Sequence, residues 1–112
     1  MSVKNIQVAK LYNIIRQEGD TSMLQFYVPA DILLDGFEAR FGVFKKNGDA
    51  LFVKNGSISG QIIYFEIDAI DTLHKVGTHL WELEIRKYIP RNEVYTIGKG
   101  DFEIHKQLLK NI

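Results

Sequence analysis

The chain has 112 residues, no cysteine and a formal net charge of zero, from 14 basic and 14 acidic residues. This length fits one domain spanning residues 1–112, and the lack of cysteine excludes a disulfide-based scaffold. A neutral chain has no strong positive field for capturing nucleic acid or an acidic membrane surface. No apolar segment is long enough to cross a bilayer, and the N-terminus lacks the apolar run of a signal peptide. We therefore expect neither nucleic acid nor a membrane as a partner.

The first third of the chain alternates between apolar and polar residues, with turn residues between the runs. Residues 6–15 (IQVAKLYNII) are apolar enough for a first strand, either bent or paired at a sheet edge. Residues 22–28 (SMLQFYV) follow, and Pro29 ends this strand because it lacks the N–H that a ladder requires. The inner face of this strand is predicted to carry Leu24, Phe26 and Val28.

The middle of the chain predicts a three-stranded meander. Its arms are residues 37–45, 50–54 and 57–67, separated by Asn47-Gly48 and Asn55-Gly56. Asn-Gly tolerates the positive φ angles of a two-residue type I′ turn, which joins neighbouring antiparallel strands. The residues predicted to face inward are Phe37, Ala39, Phe41, Val43, Ile63, Phe65 and Ile67.

The last third predicts one helical turn and a long hairpin. Residues 68–77 lose the alternation, which indicates a helical turn, and residues 77–87 (GTHLWELEIRK) form a strand with Trp81 as a core anchor. Residues 94–105 return along it, with a bulge or bend at Gly98 or Gly100. About seven short strands with regular turns predict an all-β fold, a two-sheet antiparallel Ig-like β-sandwich.

The chemistry-bearing side chains predict no catalytic, metal or cofactor site. The three histidines have no metal-ligand spacing, and no cysteine supports them. The sequence GKGD, residues 98–101, lies between strands rather than before a helix, so it does not predict a phosphate site. Four carboxylates offer acid–base pairs: Asp68, Asp71, Glu82 and Glu84. Glu82 and Glu84 share a strand face, but that face is predicted to be solvated.

Two surface features remain. Lys45, Lys46 and Lys54, with Phe44 and Phe52 nearby, are the residue types of a nucleic-acid surface, although solvated hairpin tips explain them better. Apolar residues on nominally outer faces predict an interface, unless other segments cover them or a bulge shifts the register. These interface residues are Met23, Tyr27, Phe44, Ile62, Tyr64 and Leu80.

Four segments follow one another in a distinctive order: IIRQEGDTSMLQFYV, LLDGFEARFGVFKKNGDALFVKNGSISGQIIYFEI, VGTHLWELEIRK and TIGKGDFEIH. In this order they resemble the N-terminal domain of bacteriophage baseplate upper proteins and related Ig-like sandwich modules of phage virion proteins. The shared elements are a turn, a strand entry, a basic hairpin, a glycine-led strand and a final Phe-x-Ile strand. The matching positions are Arg16, Gln17, Gly19, Asp20, Thr21, Asp35, Gly36, Lys45, Lys46, Asn47, Gly48, Gly77, Trp81, Glu82, Glu84, Phe102 and Ile104.

The resemblance implies a non-catalytic structural protein of a phage or prophage virion, acting in the tail or baseplate. It would be made in the bacterial host cytoplasm, would bind no cofactor, and would associate with its own copies or with other phage structural proteins. The alternative is a module that binds carbohydrate or another ligand by stacking sugar rings on Tyr27, Tyr64 or Trp81. The strand pattern places Trp81 on the inner face, which argues against this platform.

Overall fold

A computed structural model of the chain describes residues 10–11 and 13–111, with side chains from residue 13 to residue 109. Half of the predicted first strand, residues 6–15, lies outside the described residues, namely residues 6–9 and 12. No helix in the described part is long and apolar enough to span a bilayer. The elements are β1 Lys10–Leu11, β2 Ile14–Gln17, β3 Ser22–Tyr27, β4 Glu38–Phe44, β5 Ala50–Asn55, β6 Ser57–Ser59, β7 Ile62–Ile67, α1 Ala69–Thr72, β8 Gly77–Lys87, β9 Glu93–His105 and the 3-10 turn Leu108–Asn111.

The strands form two packed sheets, so the predicted β-sandwich is confirmed. Sheet A has the order β1-β9-β8-β4-β5, with β2 also paired to β9, and sheet B has the order β3-β7-β6. All pairs are antiparallel except those of β1 and β2, which run parallel to β9. The described chain has more strands than the predicted seven because the first edge strand is split and β6 is a separate strand.

The core is a cluster of aromatic rings that joins the two sheets. Phe26 of sheet B lies against Phe41 and Trp81 of sheet A, with ring centroids 5.9 Å and 5.6 Å away. Phe41 and Trp81 stack at 5.6 Å, and neither side chain is exposed. The contact between Phe26 of β3 and Trp81 of β8 therefore joins the two sheets.

Alternation along the strands correctly predicted which residues fill this core. Since successive side chains of a strand point to opposite faces, an apolar residue at every second position marks the inner face. The predicted inward residues that are buried are Leu24, Phe26, Val28, Phe37, Ala39, Phe41, Val43, Ile63, Phe65, Ile67 and Trp81. Leu83 and Ile85 continue the alternation of Trp81 along β8 and are buried as well.

Trp81 fits into the core because β9 carries a glycine beside it. A Cβ added to Gly98 would lie 2.9 Å from Cζ3 of Trp81 and 3.3 Å from Cβ of Leu83. The register of β8 and β9 shifts between Leu83 and Glu84, opposite this position. The predicted bulge is therefore confirmed, and it lies beside the glycine that leaves room for the indole ring.

The predicted three-stranded meander is wrong, because β5 and β6 lie in different sheets. β5 pairs with β4 in sheet A, whereas β6 pairs with β7 in sheet B, after a turn at Gly60 with φ of +59°. Gly56 lies where the chain crosses between the sheets, and its N–H donates to the carbonyl of Ala39 at 2.9 Å. A Cβ on Gly56 would approach Cε1 of Phe65 to 2.6 Å. Glycine is required here for close packing against the core rather than for a turn.

The first Asn-Gly pair does connect neighbouring strands, but not through a type I′ turn. Gly48 has φ of +98°, while Asn47 keeps a negative φ. The N–H of Gly48 donates to the carbonyl of Lys45, and the N–H of Lys45 donates to the carbonyl of Asp49, both at 2.8 Å. These bonds define a type I turn followed by a left-handed glycine. The side-chain oxygen of Asn47 accepts the N–H of Asp49 at 3.0 Å, which favours this longer loop.

The predicted helical turn is confirmed as α1, and an ion cluster joins it to sheet A. Nζ of Lys54, on β5, lies 2.9 Å from Oδ2 of Asp68 and 2.7 Å from Oδ2 of Asp71. Asp71 is buried, and its carboxylate accepts the N–H of Asp68 at 2.7 Å. The hydrogen bond to Asp71 raises the pKa of Lys54 above its ordinary value of 10.5. Thr72 Oγ1 accepts the N–H of Gly19 at 2.8 Å, which also attaches α1 to the turn after β2.

Replacement of Trp81 by alanine should lower the free energy of unfolding by about 3–5 kcal/mol, because it leaves a cavity between the sheets. Urea unfolding followed by circular dichroism measures this loss. Tyr27→Ala is the control, since Tyr27 is 75% exposed and its removal should change stability by about 0.5 kcal/mol or less. Equal losses in both variants would contradict the proposed role of the inter-sheet rings.

Replacement of Lys54 by methionine should cost about 1–3 kcal/mol near neutral pH, because it leaves Asp71 buried without its charged donor. The pKa of Lys54 is higher in the folded chain than in the unfolded chain, so the folded state holds this proton more tightly. The stabilisation is therefore complete below about pH 10.5 and decreases as the pH rises through the folded pKa.

The measurement is urea unfolding of both chains from pH 7 to pH 11, with the exposed Lys106→Met as the control. The stability difference between the native chain and Lys54→Met should shrink above the ordinary lysine pKa. A difference that stays constant up to pH 11 would show that the ion cluster does not contribute as described.

Candidate functional site

The six predicted interface residues lie on two opposite surfaces of the sandwich. Phe44 and Leu80 are cross-strand partners on the outer side of sheet A. The other four residues lie on β3 and β7, on the outer side of sheet B: Met23, Tyr27, Ile62 and Tyr64. The prediction that these positions face outward agrees with the structure, but a single patch containing all six does not form.

The outer face of sheet B is formed by the outward residues of β3, β6 and β7. Tyr27 lies opposite Ile62, and its side chain is 75% exposed. Met23, at the other end of β3, is 48% exposed, while Ile62 and Tyr64 are half-buried. Apart from Glu66, the outward residues of this face are uncharged: Met23, Gln25, Tyr27, Ser57, Ser59, Ile62 and Tyr64.

A depression of about 510 Å³ lies at the edge of this face, beside Met23 and Tyr64. Lys54, Glu66 and Asp68 supply its charged lining. The lysine is already engaged by Asp68 and Asp71, so the depression lacks a free cation among the described residues that line it. We regard it as the border of the apolar face rather than as a separate ligand site.

A larger cleft, of about 580 Å³, lies on the outer side of sheet A. Two cross-strand rows contribute to it. In the first row, Leu80 of β8 stands between Phe44 and Asp101. In the second, Glu82 stands between Gly42 and Lys99. The loop between β4 and β5 adds Lys45 and Lys46 at one end. We call this feature the sheet A cleft.

Phe44 is the aromatic surface of the sheet A cleft. Its ring lies over Gly42, since a Cβ on Gly42 would approach Cζ and Cε2 of Phe44 to 2.6 Å and 2.7 Å. Glycine at this position lets the ring lie against the strand beside Leu80, which is 40% exposed. The cleft therefore combines a supported aromatic ring with an aliphatic side chain.

Five charged side chains surround this apolar surface. Lys45, Lys46 and Lys99 carry positive charge, and Glu82 and Asp101 carry negative charge. Within the described part of the chain, none of the five forms an ion pair shorter than 4.0 Å.

The alternative nucleic-acid surface is not assembled in the form that the sequence suggested. Lys45 and Lys46 line the sheet A cleft, but Lys54 points to the inner side and binds α1. Phe52 is buried in the core. Sequence reasoning did not assign Lys99 to this surface, because its place beside Glu82 follows only from the register of β8 and β9.

The histidines and the paired carboxylates contact nearby protein groups and do not come together in one site within the described part of the chain. Nε2 of His79 lies 2.8 Å from the carbonyl of Lys75, and Nε2 of His105 lies 3.2 Å from Glu103. Among the described residues no three potential metal ligands are grouped. Glu84 pairs with Arg40 at 3.2 Å on the outer side of sheet A, beyond Glu82.

None of the family models and none of the curated proteins compared matches this chain significantly. Among solved structures, CopC from Methylosinus trichosporium OB3b superposes over 85% of each chain, with a TM-score of 0.50 and 9% identity. Domains 3–5 of the extracellular part of Drosophila OTK cover 88% of this chain but only 34% of that one, with a TM-score of 0.39 and 16% identity. The likeness to CopC supports the β-sandwich fold and nothing more specific. The resemblance to baseplate upper proteins stays a prediction.

Proposed function

We propose that this protein is a non-catalytic assembly module, which associates with further copies of itself through the outer face of sheet B. The observation that carries the proposal is that two exposed apolar residues, Met23 and Tyr27, and two half-buried ones, Ile62 and Tyr64, share a face with one charged residue. Water-exposed apolar surface is stabilised when a partner covers it. The motif order described above supports a place for this module in the tail or baseplate of a phage or prophage virion.

A second copy of the chain is the partner that suits this face best. Because seven of the eight outward residues are uncharged, two identical faces meet with little electrostatic repulsion. Glu66 lies at the same end of the sheet as Met23, whereas Tyr27 and Ile62 lie at the other end. A two-fold axis that runs across the strands would place Glu66 of each copy over the uncharged end of the other.

The size of the face sets the strength of this contact. Six residues along a strand and three strands across give a face of roughly 20 by 14 Å, or about 300 Å². Stable interfaces bury about 800 Å² per partner. We therefore expect weak pairing in solution, which many copies held in one assembly would reinforce through their high local concentration.

The alternative function, carbohydrate binding, cannot use all three aromatic rings that the sequence analysis named for it. Trp81 is fully buried between the sheets and does not reach a ligand from solvent. Tyr27 and Tyr64 lie on the outer face of sheet B, which the assembly proposal already uses. The observation that favours ligand binding is the sheet A cleft, on the opposite surface.

The mean solution mass of the native chain should rise with concentration in light scattering, as expected for weak self-association. Tyr27→Glu should weaken this association at least about tenfold, because it places a charge at an exposed apolar contact. The matched control is Val53→Glu, since Val53 is 47% exposed but belongs to the outer side of sheet A. A monomer at every concentration, or equal weakening in both variants, would rule out the outer face of sheet B as a self-interface.

The place in a virion is tested separately. Mass spectrometry of particles purified after prophage induction should detect peptides of this chain together with the tail proteins. If complete particles contain the other tail components but lack this chain, the virion proposal fails while the self-interface can still stand.

A further inference from the structure

We propose that the sheet A cleft is a binding site for an acidic saccharide, a short chain of sugar rings of which at least one bears a carboxylate. The proposal does not depend on self-association, because the cleft and the outer face of sheet B lie on opposite surfaces. Its volume of about 580 Å³ falls within the range of small-molecule sites, about 300–1,000 Å³.

The apolar part of the cleft suits the ring of a sugar. The aromatic ring of Phe44 is held against the strand over Gly42, and Leu80 lies beside it. The C–H side of a pyranose ring is apolar, so it can pack on such a surface and remove both from water. Because the position of Phe44 is already set by Gly42, the ring loses little freedom when the ligand binds.

The charged groups specify what the rest of the ligand carries. Lys45, Lys46 and Lys99 have no ion-pair partner among the described residues, and together they can neutralise a carboxylate through charge-assisted hydrogen bonds. Glu82 and Asp101 are acceptors, and sugar hydroxyls are donors. A ligand with one acidic group among several hydroxyls satisfies both sets at once.

The same charges disfavour other classes of ligand. A nucleic acid brings a phosphate at every step, and Glu82 and Asp101 would repel this row of negative charge. A zwitterionic amino acid or peptide has no net charge, whereas the cleft carries three lysines and two carboxylates and therefore favours a ligand with net negative charge. Neutral sugars would leave the lysines without a partner. An acidic saccharide is the class without these conflicts.

Titrations monitored by ¹H–¹⁵N amide spectra test the proposal on the full chain. The probes are trisaccharides of galacturonate, glucuronate and mannuronate, each compared with its methyl ester, which keeps the rings and hydroxyls but removes the charge. We expect at least one uronate to bind in the millimolar range or better and to shift the amides of Phe44, Leu80 and Lys99. Its ester should bind about tenfold more weakly, because it loses a charge-assisted hydrogen bond.

Two variants in the cleft and two outside it provide the controls. Phe44→Ala and Lys99→Gln should each weaken the affinity about tenfold, whereas Tyr27→Ala and Lys106→Gln should leave it unchanged. Lys99 is exposed, so its replacement should not affect folding, and the amide spectrum of each variant reports whether the fold is retained.

Several results would overturn the proposal. No shift with any of the uronates would exclude this ligand class, and shifts confined to sheet B would exclude this location. Equal affinity for an acid and its ester would exclude the role of the lysines. A zwitterionic dipeptide or a short oligonucleotide that binds the cleft more tightly than every uronate would identify a different class.

Discussion

The contact between Phe26, Phe41 and Trp81 is the interaction on which the rest of the structure depends. Without cysteine, no disulfide joins the two sheets, so their separation and alignment depend on how these rings pack. Two glycines are placed against this cluster. Gly98 leaves space for the indole of Trp81, and Gly56 lets the chain cross between the sheets against Phe65, which contacts the same cluster at 5.5 Å from Phe41.

Large side chains fill the inner faces, and the two outer surfaces differ in character. Sheet B presents Tyr27 and Met23 among uncharged side chains, which suits a flat contact with another protein surface. Sheet A presents a supported ring, Phe44, among separated charges, which suits a smaller polar ligand. Although the net charge is zero, the two outer surfaces differ in local charge. Glu66 is the one charged outward residue of sheet B, whereas five charged side chains line the sheet A cleft.

Alternation along a strand predicted most of the fold, because burial of every second side chain is a local property. The inner faces around Phe41, Ile63 and Trp81 were predicted correctly for this reason. Local patterns did not reveal which sheet a strand joins. Asn55-Gly56 has the composition of a hairpin turn, yet Gly56 serves the crossing between sheets, and only the packing of Phe65 against it shows the difference.

The candidate sites were harder to predict because they are built from strands that are distant along the chain. Lys54 and Lys46 are close in sequence, yet one binds Asp71 on the inner side and the other lines the sheet A cleft. Their separation follows from the direction of each side chain and from the position of α1, which sequence periodicity does not give. Lys99 and Lys46 line the same cleft because β8 pairs in a fixed register with β4 on one side and β9 on the other. In a β-sandwich of this kind, residue types along the chain indicate which faces are exposed, while strand register determines which exposed side chains can act on one ligand.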